Sequence, residues 1–226
     1  MKTLHVNSWS IYEQVLDTAY PKVAFDIGAN DGGYSKTMLE HGFEVHAFEP
    51  VPWMFQKMAH KIGNNPKHFA VEMGLSDDAA ILRDVQVLEC WTIGKPGMGG
   101  LQASPDNGAQ RFDMHLTTLD HYCQTNRIEA IGLIKLDVDG YEYRVLKGAQ
   151  EMLLKSRPPI LCELGQYLEK IGDDPRDFIQ YIFDLGYAIM PMDGHAIFRH
   201  WHEVEPQYPH HTTFDVMLMP MFEPKV

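Results

Sequence analysis

The sequence predicts an α/β fold in which helices cover both faces of a mostly parallel β-sheet. Apolar runs of strand length alternate along the chain with amphipathic stretches of helix length, which is typical of parallel sheets. The strand-like runs are mainly apolar, as expected of strands that are buried on both faces. With 226 residues, 45% of them hydrophobic, the chain is long enough for a single domain over residues 1–226 with a sizeable core.

The elements follow one another in a regular order after a helical N-terminal extension over residues 1–21. Strands are predicted over 23–27, 44–48, 69–73, 131–138 and 160–164, and helices over 34–41, 52–61, 116–126 and 141–156. Gly42 ends the first of these helices, Pro52 begins the second, and the last is broken near Gly148. A helix over 174–185 and late strands over 187–190, 196–198 and 213–219 complete the chain. The turn within the late strands predicts an antiparallel edge strand.

Residues 81–113 interrupt this rhythm. A strand is predicted over residues 81–89, and it is followed by a connection rich in Gly and Pro between Gly94 and Gly108. Long connections of this kind inside a compact domain are usually functional or disordered. Residues 90–112 are therefore predicted to form a lid or a substrate loop.

Charge and composition exclude several classes of partner. Acidic residues outnumber basic ones 31 to 19, and the net charge of −12 disfavours binding to nucleic acid or to an anionic membrane surface. There is no apolar run of roughly 20 residues to span a membrane, and the first residues do not resemble a signal peptide. Three cysteines, an odd number without metal-ligand spacing, argue against a disulfide framework, so we expect a cytoplasmic protein.

A glycine-rich turn follows the first predicted strand. It runs from Asp26 to Tyr34, and Gly28, Gly32 and Gly33 allow a sharp turn and a close approach of a ligand. Ligands of open α/β sheets bind outside the carboxyl ends of the strands, where this turn lies. A carboxylate at Asp26 suits a ligand ammonium or sulfonium better than a phosphate.

Acidic and polar residues also follow the second and third strands. Glu49 ends the second strand, about 20 residues after the turn, where an acid accepts the ribose hydroxyls of an adenosine. Ser76 and Asp77 follow the third strand and are predicted to reach the adenine. An N-cap or a turn would use the same two side chains.

These residues, together with Ile134–Glu142 and Ile160–Leu164, resemble the FkbM family of S-adenosylmethionine-dependent methyltransferases. The resemblance covers roughly residues 23–163. The family's first motif, Asp-x-Gly-Ala-Asn-x-Gly, matches residues 26–32, and its Phe-Glu-Pro matches residues 48–50. Its Ile-Lys-x-Asp-x-Glu-Gly-x-Glu motif matches residues 134–142, with Asp139 in place of the usual Glu.

The resemblance implies a Rossmann-like class I methyltransferase sandwich with a mostly parallel seven-stranded sheet. It implies S-adenosyl-L-methionine as the cofactor and, typically, O-methylation of a hydroxyl on a sugar, a glycan or a natural product. It also adds Ala29, Asn30, Tyr34 and Pro50 to the predicted cofactor-binding residues. The loop at residues 97–100 departs from the Ser-rich stretch of many members, so recognition of the acceptor is open.

Four carboxylates lie at or just beyond the ends of the fourth and fifth strands: Asp137, Asp139, Glu142 and Glu163. Asp137, Asp139 and Glu163 are the predicted catalytic residues, since a carboxylate within reach of an alcohol can take its proton. Two or three of these acids would also suit Mg²⁺. A metal-free base is favoured, because the spacing does not by itself specify a coordination sphere. Lys135 either pairs with one of these acids or points into solvent.

Two other functions remain open at this point. One is an NAD-dependent oxidoreductase on a related sheet, although Asn30 occupies the second glycine position of a dinucleotide motif. The other is a non-catalytic module that binds a nucleotide. The sequence leaves open the acceptor, the choice between O- and N-methylation, and the oligomeric state.

Overall fold

The computed structural model describes residues 8–87, 93–94 and 110–221. The helices are α1 (Ser10–Thr18), α2 (Gly33–Glu40), α3 (Pro52–Ile62), α4 (Leu119–Asn126), α5 (Glu142–Lys147), α6 (Gln150–Ser156), α7 (Tyr167–Lys170), α8 (Pro175–Asp184) and α9 (Trp201–Val204). The strands are β1 (Val23–Ile27), β2 (Glu44–Phe48), β3 (His68–Val71), β4 (Gly74–Leu75), β5 (Ala80–Val87), β6 (Ile93–Gly94), β7 (Gln110–Thr117), β8 (Leu133–Leu136), β9 (Ile160–Gly165), β10 (Tyr187–Pro191) and β11 (Thr213–Pro220).

The large sheet has seven strands in the order β10-β11-β9-β8-β1-β2-β3. Strand β11 is antiparallel to both of its neighbours, β10 and β9, and the pairs from β9 to β3 are parallel. The mostly parallel seven-stranded sheet is confirmed, but the predicted place of the antiparallel strand is wrong. It lies one position inside the edge, because the connection between β10 and β11 is long enough for β11 to return between β10 and β9.

Two apolar cores lie on opposite faces of this sheet. Phe25 and Ile27 of β1 pack in one core with residues of α4, α5, α6 and α8, whereas Ala24 packs in the other core with residues of α1, α2 and α3. Neighbouring residues of a strand point to opposite faces, so one apolar strand supplies both cores. Helices therefore cover both faces, as predicted.

A second sheet, in the order β4-β7-β5-β6, follows β3 in the chain. Its strand β7 was missed: residues 110–112 were assigned to the lid and residues 116–117 to a helix. The helix α4 begins only after Thr118, whose side chain accepts a hydrogen bond from the His121 N–H at 3.1 Å. Of the predicted lid, only residues 93–94 and 110–112 are described, and they are strands; the remainder lies outside the described residues.

The other boundaries agree with the prediction to within a few residues. Residues 196–198 form no strand of their own, and only a bridge joins Phe198 to Ile189 of β10. The predicted break at Gly148 separates α5 from α6, and a Cβ there would lie 2.0 Å from the Ser76 carbonyl oxygen. Within the described part of the chain, no helix combines the length and apolar character needed to cross a membrane.

Candidate active site

A cavity of about 790 Å³ opens at the carboxyl ends of β1, β2 and β8. Its size is in the range of small-molecule sites. Of the predicted site residues, it is lined by Gly28, Ala29, Asn30, Gly33, Tyr34, Glu49, Pro50, Asp137 and Asp139. The predicted residues that do not line it are Asp26, Gly32, Ser76, Asp77 and Glu163.

The glycine turn after β1 is held against the two neighbouring strands. The N–H groups of Gly28 and Ala29 donate to the Phe48 carbonyl oxygen at 3.0 and 2.9 Å. Gly28 has φ +76°, and a Cβ there would lie 1.9 Å from the Asp137 carbonyl oxygen. Only glycine fits this contact, so the turn lies directly beside the acid-rich segment that follows β8.

Glu49 is the buried acid at the wall of the cavity. Its Oε2 accepts a hydrogen bond from the Asn30 N–H at 2.7 Å, and its Oε1 accepts one from the Val51 N–H at 2.8 Å. Burial raises the pKa of Glu49, although these two hydrogen bonds act in the opposite direction. Each oxygen keeps acceptor capacity, because a carboxylate has about four lone-pair sites.

Asp26 lies beneath the turn rather than at the cavity wall. It is fully buried, and its Oδ2 accepts a hydrogen bond from the Ser35 hydroxyl at 2.6 Å. Its Oδ1 is 3.8 Å from the Lys135 ammonium. In this structure Asp26 contacts the protein around the turn, and the cofactor contact assigned to it stays a prediction.

Ser76 and Asp77 do not line the cavity and instead contact the protein. The Ser76 hydroxyl donates to Asp77 Oδ1 at 3.1 Å, and Asp77 Oδ2 is 3.0 Å from the Lys147 ammonium. Burial raises the pKa of Asp77, but hydrogen bonds from Lys147 and Ser76 outweigh it and hold that pKa below its usual value. Gly74 and Leu75, just before them, line the cavity instead.

The predicted carboxylates come together at the ends of β8 and β9. Oxygen atoms of Asp137, Glu142 and Glu163 all lie within 4.8 Å of one another. Burial, followed by the nearby Asp137 charge, raises the pKa of Asp139 to about 7 and that of Glu163 to about 8. Burial also raises the pKa of Glu142 to about 7, against a hydrogen bond from the Val138 N–H at 2.8 Å. These side chains can take or hold a proton near neutral pH.

Asp215 belongs to the same group and was missed by the sequence analysis. It faces Glu163 across the β9–β11 pairing, and burial together with Asp137 raises its pKa to about 6. Because β9 and β11 are antiparallel, the first residues of β11 lie beside the last residues of β9. Had the position of β11 been known, its third residue would have been a candidate.

The cavity also has walls that the sequence analysis did not assign. They come from α3 and from the second sheet, and they are formed by Trp53, Met54, Lys57, Leu82, Gln110, Met114 and Leu116. These side chains are largely apolar, and a flat ring system fits between apolar walls better than a charged group does. A strand pattern does not show that a strand borders a cavity, so the four residues of the second sheet could not be assigned. Trp53, Met54 and Lys57 lie on a predicted helix, whose pattern does not show which of its residues reach the cavity.

The donors and acceptors present fit S-adenosylmethionine. Glu49 offers acceptors for ribose hydroxyls, and acids near the turn suit a cationic group. The buried Oδ1 of Asn30, in the cavity wall, has no hydrogen-bond partner among the described residues. A buried polar atom without a partner is costly, and a ligand donor would satisfy it. A divalent metal, if one bound, would be held by Asp137, Glu142 and Glu163.

Comparison with known proteins gives matches in sequence and in structure. The family model described as "Methyltransferase FkbM domain" matches residues 26–189. The 31-O-demethyl-FK506 methyltransferase FkbM of Streptomyces tacrolimicus is 31% identical over 157 residues, which are 57% of this chain and 60% of that protein. A solved methyltransferase FkbM from Methylobacillus flagellatus KT has a TM-score of 0.51 at 16% identity, covering 89% of this chain and 44% of that one.

The chain spans less than two thirds of either protein's length. The solved structure supports the fold, which is the Rossmann-like class I methyltransferase sandwich. The matched residues extend from the end of β1 into β10 and include the glycine turn, Glu49 and the acids that follow β8. Because the family model matches well over half of the chain, this chain belongs to the FkbM methyltransferase domain family.

Proposed function

We propose that this chain is an S-adenosylmethionine-dependent methyltransferase that methylates a hydroxyl of a sugar, a glycan or a natural-product small molecule. The observation that carries the proposal is Glu49, a buried acid at the end of β2, whose two oxygens are fixed by backbone N–H groups at the cavity wall. The name of the curated relative, which describes a 31-O-demethyl substrate, favours an oxygen as the acceptor atom.

The residues around the turn bind the cofactor in this proposal. S-adenosylmethionine supplies a methyl group on a positively charged sulfur, and its transfer to the acceptor oxygen leaves S-adenosylhomocysteine. Glu49 accepts hydrogen bonds from the ribose hydroxyls, and the Asn30 side chain pairs with a ligand polar group. The backbone from Gly28 to Tyr34 shapes the approach, since Gly28 and Gly33 line the cavity and have no side chain to obstruct a ligand.

The carboxylates at the ends of β8 and β9 remove the acceptor proton. As the acceptor oxygen forms its bond to the methyl carbon, the bond from that carbon to sulfur breaks and the O–H proton goes to a carboxylate. Asp137 and Asp139 line the cavity, and Glu163 lies beside Asp137. A base is most effective when its pKa is near the working pH. Burial raises the pKa of Asp139 to about 7 and that of Glu163 to about 8, which is near neutral pH.

The proton transfer is proposed to be independent of metal. Glu142 already accepts a hydrogen bond from the Val138 N–H at 2.8 Å, so one of its oxygens is engaged by the protein. Unchanged turnover in EDTA supports a metal-free base. Loss of turnover that Mg²⁺ or Mn²⁺ restores replaces it with a metal at Asp137, Glu142 and Glu163.

The proposal is tested first by binding and then by turnover. Calorimetry should detect S-adenosylhomocysteine and not NAD; the reverse result favours an oxidoreductase. Transfer of labelled methyl groups to a panel of sugars and polyketide alcohols then separates an enzyme from a binding module. A cytoplasmic location and a small-molecule rather than a nucleic-acid acceptor are part of the proposal; the free, buried Cys123 and Cys162 and the net charge of −12 support them.

A further inference from the structure

Lys135 is a buried lysine in the centre of the large sheet, at the point where the glycine turn meets the acids after β8. We propose that Lys135 is a positioning residue that fixes the Asp137 carboxylate against the glycine turn and thereby sets its place at the reacting end of the cavity. The proposal rests on the proposed function, because it assigns Asp137 to the methyl-transfer site.

The contacts of Lys135 join three segments of the chain. Its ammonium donates to the Gly28 carbonyl oxygen at 2.7 Å and to the Ile27 carbonyl oxygen at 3.3 Å. It lies 3.3 Å from Asp137 Oδ2 and 3.8 Å from Asp26 Oδ1. The end of β1, the turn and the first residue after β8 therefore meet at one charged group.

These contacts occupy the hydrogen-bond donors of the Lys135 ammonium. A lysine has three N–H donors and no acceptor, and here the two carbonyl oxygens and Asp137 Oδ2 take all three. Lys135 therefore has no donor left for a ligand, although it borders the cavity. Its effect on a reaction must pass through the groups that it holds.

Burial differs between the two partners of this ion pair. The side chain of Lys135 is only 4% exposed, so the protein around it holds the ammonium in place. Asp137, in contrast, is 41% exposed. A half-exposed carboxylate would sample several rotamers, and the fixed ammonium beside Oδ2 selects one of them. Such positioning affects the rate of turnover more than it affects the affinity for a ligand.

A double-mutant cycle tests whether Lys135 acts through Asp137. Lys135→Met should lower turnover by about tenfold or more in the unmutated background, which is about 1.4 kcal/mol, within the range for contacting pairs. In the Asp137→Asn background the same change should lower turnover by less than about threefold. The affinity for S-adenosylhomocysteine, measured by calorimetry, should change by a similar factor in both backgrounds. An equal loss of turnover in both backgrounds overturns the proposal.

Two further variants separate positioning from a general structural role. Lys135→Arg keeps a cation at this place and should retain turnover within about threefold of the unmutated chain, well below one decade; a loss as large as that of Lys135→Met contradicts the proposal. Lys36→Met is the matched control, because Lys36 is 60% exposed and, among the residues that the structure describes, its ion pair is with Glu40 on the surface of α2. It should leave turnover and affinity unchanged.

Folding and ligand binding provide readouts that do not depend on activity. If the unmutated chain binds no S-adenosylhomocysteine, the proposed function fails, and the cycle is measured by urea unfolding instead. If the two substitutions change the free energy of unfolding non-additively, the pairing of Lys135 and Asp137 is supported, and additive changes overturn it. If Lys135→Met does not fold, the double variant is compared with Asp137→Asn. If the double variant and Asp137→Asn have equal free energies of unfolding, the pairing is supported. If the double variant also fails to fold, the pairing is overturned.

Discussion

Replacing Glu49 by alanine should weaken the binding of S-adenosylhomocysteine by roughly 10- to 150-fold. Hydrogen bonds to a charged group contribute roughly 1.5–3 kcal/mol, and each 1.4 kcal/mol is about one decade in affinity. The structure supports a value in this range, because the Asn30 and Val51 N–H groups hold the carboxylate in place before a ligand arrives. A pre-organised acceptor loses little conformational entropy when a ligand binds.

The same substitution should also lower the free energy of unfolding. It leaves two N–H groups without their acceptor at a position where Glu49 itself is 6% exposed. An unsatisfied buried donor costs roughly 1–3 kcal/mol, so the two together cost roughly 2–6 kcal/mol when no water reaches them. Urea unfolding has to be measured first, and the binding experiment has to be run where the variant is folded.

The assay is calorimetry with S-adenosylhomocysteine on three chains: unmutated, Glu49→Ala and Glu44→Ala. Glu44 begins the same strand at its opposite end, away from the cavity, and its side chain is 44% exposed. The control should bind with unchanged affinity. A folded Glu49→Ala variant with less than about a threefold loss, well below one decade, would falsify the assignment of Glu49 to the ribose.

Three more predictions concern the carboxylates and the turn. Asp137→Asn should bind S-adenosylhomocysteine within about tenfold and lose turnover by roughly 10²–10⁴-fold; near-normal turnover makes Glu163 the next candidate for the base. With Asp139 or Glu163 as the base, kcat/KM should rise with pH through about 7 to 8, because that carboxyl must lose its proton and the two pKa values are about 7 and about 8; a flat profile from pH 6 to 9 excludes both residues as the base. Gly28→Ala should fail to fold or lose all binding, because its Cβ would lie 1.9 Å from the Asp137 carbonyl oxygen; a stable variant with normal affinity would show that the turn is not held as described.

Much of the large sheet was predictable because its strands are locally distinctive. Strands β1 and β2 have the predicted bounds, since a short, mainly apolar run between turn signals allows few alternatives. Helix α8 has Pro175 in its first turn and Asp174 as its N-cap, whose side chain accepts from the Arg176 N–H at 2.7 Å. Such caps and breakers act within a few residues, so they are visible in the sequence.

The second sheet carries a different kind of signal. In β7 the partly or fully buried Phe112, Met114 and Leu116 alternate with the exposed Asp113 and His115, which is the pattern of a strand with one buried face. Its pairing with β5 is long-range and contains an irregularity between Leu82 and Val85. The pattern near residue 116 runs directly into α4, and without the partner strand an apolar residue there fits a helix equally well.

For the site, the sequence indicated which loops meet but not which side chains face the cavity. Glu49 reaches it, because β2 ends at the cavity and the acid is the next residue. Ser76 and Asp77 do not reach it, because Asp77 Oδ2 forms an ion pair with the Lys147 ammonium of α5 at 3.0 Å. That lysine follows Asp77 by 70 residues in the chain, and a competing ion pair at such a separation leaves no local trace.

The carboxylate cluster depends on topology more than on any motif. Asp137 and Glu163 meet because parallel strands bring their carboxyl ends to one edge, and Asp215 joins them because β11 is antiparallel and begins at that edge. The folded chain raises the pKa of Asp139, Glu163 and Asp215 to about 7, 8 and 6, above their usual values near 4. The folded state therefore binds protons more tightly than the unfolded state, and the cluster's contribution to stability is lost as pH rises through 6 to 8. In the proposed function, activity rises over the same pH interval, so the burial that makes these acids costly to ionise is also what gives them a pKa suited to removing a proton from an alcohol.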